Sequence, residues 1–400
     1  MQVTFGLRRP DEHVQQARLT GQAFRVDPGE HDPTVPQLAD DRVHVARDGD
    51  RIVATASVWP FGQWFGGRCV PMGGVAAVAV LPEARGKGLA RRILTEAIVA
   101  MRERGEVLSA LYPTTARLYR SMGYEHAARH LRVGVSMETL GRVVPPEGGD
   151  RVRRVEVDEM RSLSLVYDAV AAHHDGWLRR GDTWWDRVAH RYSSGGNRFA
   201  YVVERGDQAV GSLFVHHSDP EGSRPGFHLY DLSVDGPFAV DHQALRAGLA
   251  FLAGHGNITG EIRTTLPVEL LSVLVADQHL RVIDQLLCML RLVDLAGAMS
   301  ARGYLGERVG PVDVGITDDV AEWNDGPHRL VVEDGQGRAE PGGDGHVQMD
   351  VSTLAALWSG WASPWQLALA GRLPGATAAD LTVLAHMFAS RSTPHVLDFF

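Results

Sequence analysis

The stretch Val75-Ala76-Ala77-Val78-Ala79-Val80-Leu81-Pro82-Glu83-Ala84-Arg85-Gly86-Lys87-Gly88-Leu89-Ala90 decides how this chain is read. Its first half is an apolar run closed by Pro82, the pattern of a buried strand. Apolar residues then recur at Leu89, Ala90, Ile93, Leu94, Ala97, Ile98 and Met101, one face of a helix. Gly105 supplies the stop. Between strand and helix, Gly86 and Gly88 let the backbone approach an anion without Cβ interference. The first turn of a helix leaves N–H groups unpaired, and its dipole favours negative charge. Strand, basic glycine-containing turn and helix N-terminus therefore predict a seat for a diphosphate. The spacings of a Walker loop and of a dinucleotide fingerprint are both absent here.

Outward from this motif, residues 1 to about 145 alternate strands and helices. A helix begins at Asp11-Glu12-His13-Val14. Residues 43–46 and 52–58 read as strands around an Asp48-Gly49 turn. Residues 107–112 form the next strand, and Thr114 or Thr115 caps a short helix through Tyr119 that Gly123 stops. A strand follows from Tyr124. Pro145-Pro146-Glu147-Gly148-Gly149-Asp150 is a linker by composition.

Residues 146–289 repeat the pattern: a hairpin around Gly206-Asp207, a strand at 227–232 and a helix at 244–253. Asp235-Gly236-Pro237-Phe238-Ala239-Val240 stands where the basic turn is expected. Proline removes an N–H donor and aspartate repels phosphate, so this repeat is read as lacking a coenzyme site. Residues 290–400 form a third α/β domain, with 330–333 and 347–351 as paired strands, a polar stretch 334–338 between them, and helices at 352–358 and 365–370.

Bulk properties set the frame. A chain of 400 residues exceeds one ordinary core. Its 40 basic and 49 acidic residues give a net charge of −9, which argues against nucleic acid as a partner and suits a cationic one. No apolar run approaches the ~20 residues that span a bilayer, so no membrane partner is expected. The N-terminus lacks a signal-peptide pattern. Cys69 and Cys288 alone cannot build a disulfide framework or a cysteine zinc site, which suits a cytoplasmic protein.

The spacing Arg85-x-x-Gly88-x-Ala90 resembles the acetyl-coenzyme A motif of the GNAT superfamily of N-acetyltransferases. The third domain resembles sterol carrier proteins at Met349-Asp350-Val351-Ser352-Thr353-Leu354-Ala355-Ala356-Leu357-Trp358-Ser359-Gly360. A GNAT domain, a motif-less GNAT-like repeat and a sterol-carrier-like domain together resemble the Eis (enhanced intracellular survival) acetyltransferases of actinobacteria. The resemblance covers essentially the whole chain and is sharpest at residues 78–91, 118–124, 290–304 and the apolar C-terminus. It implies tandem α/β GNAT domains, acetyl-CoA as co-substrate, no metal, hexamers, and acetylation of aminoglycoside amines or of lysines.

The resemblance also implies roles. Backbone groups of Val78, Ala79 and Val80 would bind pantetheine and the thioester carbonyl. The turn from Arg85 through Gly86, Lys87, Gly88, Leu89 and Ala90 to Arg91 would take the diphosphate, with Thr114 and Thr115 beside the thioester arm. Tyr119 falls where the family places its general acid, and a phenol can donate to a thiolate. Tyr112 is a weaker candidate. The C-terminal carboxylate, here that of Phe400, would be the base, its pKa raised by burial among Leu397, Phe399 and Phe400. Asp27, in an acidic loop with Glu30 and Asp32, falls where the family faces the polyamine with a carboxylate.

Other residues stay open at this stage. Trp59, Phe61, Trp64 and Phe65 either wall a pocket with cation–π contacts or form a packed hairpin end. Asp398 is close enough to the terminus to face substrate. His173-His174-Asp175 and His216-His217 lack the geometry of a metal site. Trp358, Trp361 and Trp365 share a helical face if the helix continues, as core. Nothing near Cys69 supports an acyl-carrying thiol, so direct transfer in a ternary complex is expected. A non-catalytic binding protein, holding an apolar ligand in the third domain, is the alternative from another class.

Overall fold

A computed structural model describes residues 3–25, 35–143, 148–193, 196–219, 229–275 and 280–400. The chain divides into two compact units, one of Met1–Ala128, His174–Gly181 and Leu287–Phe400, the other of Arg129–His173 and Asp182–Leu286.

The first stretch forms β1 (Val3–Leu7), α1 (His13–Phe24), β2 (Val43–Asp48), β3 (Arg51–Phe65), β4 (Arg68–Val80), α2 (Leu89–Glu103), β5 (Leu108–Leu111), α3 (Ala116–Arg120) and β6 (Glu125–Ser136). Strands β1 to β5 lie side by side in chain order. Their pairings are antiparallel except β4 with β5, which is parallel. Helix α2 buries Leu89, Ile93, Leu94, Ala97, Ile98 and Met101, the face its periodicity predicts. Each large side chain so buried contributes about 1.5–3 kcal/mol. The β3–β4 hairpin runs further than expected, to a Gly66-Gly67 turn with both φ positive. Trp59, Phe61, Phe65, Val70 and Met72 are buried, and that burial carries the pairing outward.

The middle of the chain forms α4 (Met137–Leu140), β7 (Arg151–Val155), α5 (Leu163–Ala171), β8 (Leu178–Arg179), α6 (Asp182–Ser193), β9 (Arg198–Arg205), β10 (Gln208–Ser218), β11 (Tyr230–Ala239), α7 (His242–Ala253), β12 (Thr259–Thr264), α8 (Val268–Leu274) and β13 (Arg281–Leu292). In the second unit the strands follow the order β7-β9-β10-β11-β12-β6. Parallel β11 and β12 repeat the relation of β4 and β5. The expectation that residues 235–240 replace the basic turn is corrected: residues 235–239 are strand, paired with β10. Only Val240 and Asp241 join β11 to α7, so the turn is missing rather than altered.

The last stretch forms α9 (Leu295–Ala301), β14 (Val309–Thr317), β15 (Gly326–Glu333), β16 (Gln336–Pro341), β17 (Val347–Asp350), α10 (Val351–Trp358), α11 (Pro364–Leu369) and α12 (Ala378–Met387). Their sheet has the order β16-β15-β14-β17. The expected pairing of 330–333 with 347–351 is corrected, since β14 lies between them. Gln336, Gly337 and Arg338 of the expected polar stretch belong to β16, because Asp334 and Gly335 (φ 52° and 69°) make a tight hairpin turn. The shared tryptophan face also fails. Helix α10 ends at Trp358, which is buried, Gly360 has φ 78°, and Trp365 on α11 is 52% exposed.

This last stretch belongs to the first unit. Residues 289–292 of β13 pair with β5, and Phe65 meets Trp358 edge-on at 4.8 Å. Fully buried Arg291 donates to both Asp318 oxygens (2.8 and 2.6 Å) and to the Met122 carbonyl (2.5 Å), pinning the turn after α3.

Candidate active site

Strands β4 and β5 pair only at Met72, Gly73 and Gly74 with Leu108, Ser109 and Ala110. Beyond that point β4 continues to Val80, while β5 ends at Leu111. Along Val78, Ala79 and Val80 no strand covers the β5 side of β4 among the described residues. The pairing with β3 shifts here, from Thr55 opposite Ala79 to Ser57 opposite Ala76. Ala77 and Val78 thus share one partner position, and Ala77 takes φ 52°, a conformation costly for a residue with a Cβ. The bulge turns β4 at the fork, beside its open edge. No glycine announces it in the sequence.

Below the fork, Gly86 and Gly88 have φ 76° and 73°, and a Cβ at either would meet nothing within 4 Å. Gly88 is the N-cap of α2, no side chain caps the helix, and no acidic residue stands in its first turn. Arg85, Lys87 and Arg91 are exposed around it. Arg85 Nε reaches back to the Val80 carbonyl at 3.3 Å, and Arg91 donates to the carbonyl of Ser121 at 2.9 Å. Open N–H groups, a positive helix end and three cations fit a pyrophosphate. Leu89 is buried and Ala90 half-buried, so these two carry the helix rather than the ligand face.

Thr114 and Thr115 are exposed just past β5, and Thr115 is the N-cap of α3. Helix α3 delivers Tyr119 into a core cluster with Val58, Val75 and Leu111 of the three site strands. Its ring meets Tyr124 edge-on at 6.0 Å. Among the described residues the Tyr119 hydroxyl makes no hydrogen bond, whereas that of Tyr124 bonds Ser109 Oγ at 2.7 Å. Burial pushes the Tyr119 phenol above its usual range, which keeps its proton in place at neutral pH. Tyr124 is pushed up to about 12, chiefly by burial. Tyr112 is raised well above the usual phenol range by burial, and its hydroxyl donates to the Asp398 carbonyl at 2.8 Å.

That bond brings in the C-terminus. Above Gly74, the last β4 residue paired with β5, a Cβ would stand 2.7 Å from Phe61 Cδ2 and 3.0 Å from Phe400 Cε2, so both rings pack over this glycine. Trp59 and Phe61 (6.4 Å), Phe61 and Phe400 (5.3 Å), Phe400 and Tyr112 (5.5 Å), and Tyr112 and Phe399 (4.9 Å) form a continuous aromatic wall. The structure thus collects Trp59, Phe400, Val78–Val80 and Tyr119 around one fork. Trp64 is half-buried, and Phe65 packs into the third domain instead. Asp398 is 7% exposed, and its carboxylate accepts from Arg180 Nε at 3.0 Å. Asp27, Glu30 and Asp32 lie outside the described residues. Sequence reading gave no signal for the Arg180–Asp398 pair or for the bulge at Ala77.

Cys288 is buried and its thiol is pushed up to about 12 by burial. No group of three His, Cys, Asp or Glu fit for a metal occurs among the described residues. His174 stacks on Trp177 at 4.2 Å, and no described helix is long and apolar enough to cross a membrane.

Residues 7–127 and 176–292 match acetyltransferase (GNAT) domain families, and residues 295–397 match a sterol carrier protein domain family. An uncharacterized N-acetyltransferase of Streptomyces griseus is 28% identical over 84% of this chain and 83% of its own length. N-acetyltransferase Eis of Mycobacterium tuberculosis is 27% identical over 80% of this chain and 79% of its own. The crystal structure of a GCN5-related N-acetyltransferase from Anabaena variabilis superposes with a TM-score of 0.90 at 25% identity, covering 100% of both chains. The chain is a GNAT-type N-acetyltransferase and a homologue of Eis, with two GNAT domains followed by a sterol-carrier domain.

Proposed function

We propose that the protein acetylates amines of polycationic small molecules, aminoglycosides being the leading class, by direct transfer in a ternary complex. Acetyl-CoA, when bound, supplies the acetyl group as a thioester. The α2 N-terminus and its glycines would hold the pyrophosphate, and the backbone of Val78, Ala79 and Val80 would receive the pantetheine arm along the open edge of β4. Preorganised N–H donors of this kind are worth ~10²–10³ in rate. Tyr119 Oη would give its proton to the departing sulfur as the amine nitrogen bonds to the carbonyl carbon. The Phe400 carboxylate would take the proton that the amine loses.

The observation that carries this reading is the seating of Phe400 on Gly74 at the β4–β5 fork. It brings the terminal residue, together with Trp59, Phe61 and Tyr112, to the place where the thioester would lie. Aromatic faces beside a carboxylate suit ammonium groups. A net charge of −9 favours the approach of such substrates. The test is a panel of aminoglycosides, linear polyamines and lysine peptides, scored by thiol release and product mass. Acetylated aminoglycosides with silent peptides support the reading, whereas acetylated peptides alone transfer it to protein lysines.

A further inference from the structure

The chain terminus is held by a segment drawn from the middle of the sequence. His174–Gly181 belongs to the first unit although the residues on either side of it belong to the second. Its β8 adds to β3, with Gly62 opposite Arg179 and Gln63 opposite Leu178. Gly176 donates its N–H to the Trp64 carbonyl at 2.7 Å, and Trp64 donates to the Trp177 carbonyl at 2.8 Å. One edge of this strap is therefore fixed to the catalytic hairpin.

The other edge holds the tail. Buried Asp175 accepts from Gly66 N–H at 2.7 Å, Ser390 Oγ at 2.6 Å and Arg391 N–H at 3.1 Å. Its carbonyl accepts from His395 N–H at 3.0 Å. Gly176 has φ 92°, and a Cβ there would stand 2.8 Å from the His395 backbone, so only glycine permits this approach. At the end of the strap Arg180 Nε donates to both Asp398 oxygens, at 3.0 and 3.2 Å, with each side chain 6% exposed. Tyr112 holds the carbonyl of the same Asp398. Residues 396–400 lie in neither helix nor strand, so tethers of this kind fix where the terminus goes.

We propose that Arg180 is a positioning residue for acetyl transfer, holding the terminal carboxylate at the β4–β5 fork through its buried ion pair with Asp398. The proposal rests on the reading of Phe400 as the base. A buried ion pair is a poor source of net stability, because desolvation offsets the attraction, but it fixes geometry closely. It also gives the Asp398 carboxylate the task of anchoring the tail, in place of contacting substrate.

The test uses the full chain with Arg180→Met, the charge-retaining Arg180→Lys, and both backgrounds with and without Phe400. Carboxypeptidase release of the terminal phenylalanines, followed by mass, reports tail placement without any amine substrate. Arg180→Met is expected to speed release and to lower kcat, each by about tenfold, with KM for acetyl-CoA within about twofold of wild type. Arg180→Lys should fall between the two, which also covers the case in which the methionine variant does not fold. In the chain lacking Phe400, Arg180→Met should cost less than about twofold further. An unchanged release rate in both folded variants, or an equal loss of kcat with and without Phe400, overturns the proposal. Full turnover without Phe400 refutes the base assignment itself, and the catalytic part of this proposal with it.

Discussion

Strands β4 and β11 follow the same course and end differently. Each pairs in parallel with a shorter neighbour and then runs past it. Each carries a bulge at the overrun, Ala77-Val78 against β3 and Gly236-Pro237 against β10. Each leads to an amphipathic helix. At β4 the overrun edge is open and the helix begins on an uncapped glycine. At β11 the chain occupies its own site. Gly236 donates to Thr265 Oγ1 at 3.3 Å and accepts from Thr264 Oγ1 at 2.6 Å, while Pro237 has no N–H to offer. Pro237 packs where a Cβ on Gly248 of α7 would stand, 2.8 Å away. The N-cap of α7 is Asp241, whose carboxylate accepts from Ala244 N–H at 2.9 Å and pairs with Arg205. A helix N-terminus attracts an anion in either case. At α7 the chain itself provides it, while no side chain caps α2.

The largest effect is expected from giving α2 an acidic residue where α7 has one. Gly88→Asp puts a carboxylate at the uncapped helix start, in a left-handed conformation that aspartate tolerates. Loss of charge-assisted hydrogen bonds to pyrophosphate should raise KM for acetyl-CoA about 100-fold. The left-handed backbone there should lower the melting temperature modestly, less than for most residues because aspartate enters that region more readily, and an unaltered KM would remove this turn from the site.

A comparable loss, now in kcat, is expected for Tyr119→Phe, about 100-fold in steady-state turnover. Thermal stability should be retained, because the hydroxyl has no partner among the described residues. Tyr124→Phe should do the reverse, costing about 1 kcal/mol through its bond to Ser109 and sparing kcat. The opposite pattern would assign the acid to Tyr124.

The smallest effect belongs to the silent half. Asp241→Ala should cost about 1 kcal/mol as a lost cap and leave affinity for CoA unchanged. Arg205 and the Ala244 N–H hold the Asp241 pKa down, from 3.8 to about 2. A depressed carboxylate stabilises the fold above its unfolded pKa and loses that contribution as pH falls through the folded value. The difference in melting temperature between wild type and variant should therefore close between pH 3.8 and about 2.

These contrasts also show what could be read in the sequence. The helix face of α2, the glycine turn and the hairpin at Gly206-Asp207 are local patterns, and the structure reproduces them. The bulge at Ala77 was hidden because alanine carries no signal for positive φ. Residues 235–240 were misplaced because a strand with Gly-Pro at a bulge reads as a loop. Strand β14 lies between two segments that the sequence pattern alone pairs with each other. The Arg180–Asp398 link spans 218 residues, and no periodicity announces a contact at that separation. The chemistry of the fork was legible as residue types, while its tail anchoring was not.

On the proposed reading one of the two forks takes a nucleotide thioester, while the other is filled by its own chain. Calorimetric titration of the purified protein with CoA tests it directly. One site per chain is the predicted stoichiometry, with affinity weakened about 100-fold by Gly88→Asp and unchanged by Asp241→Ala. Two sites per chain, or none, would contradict it.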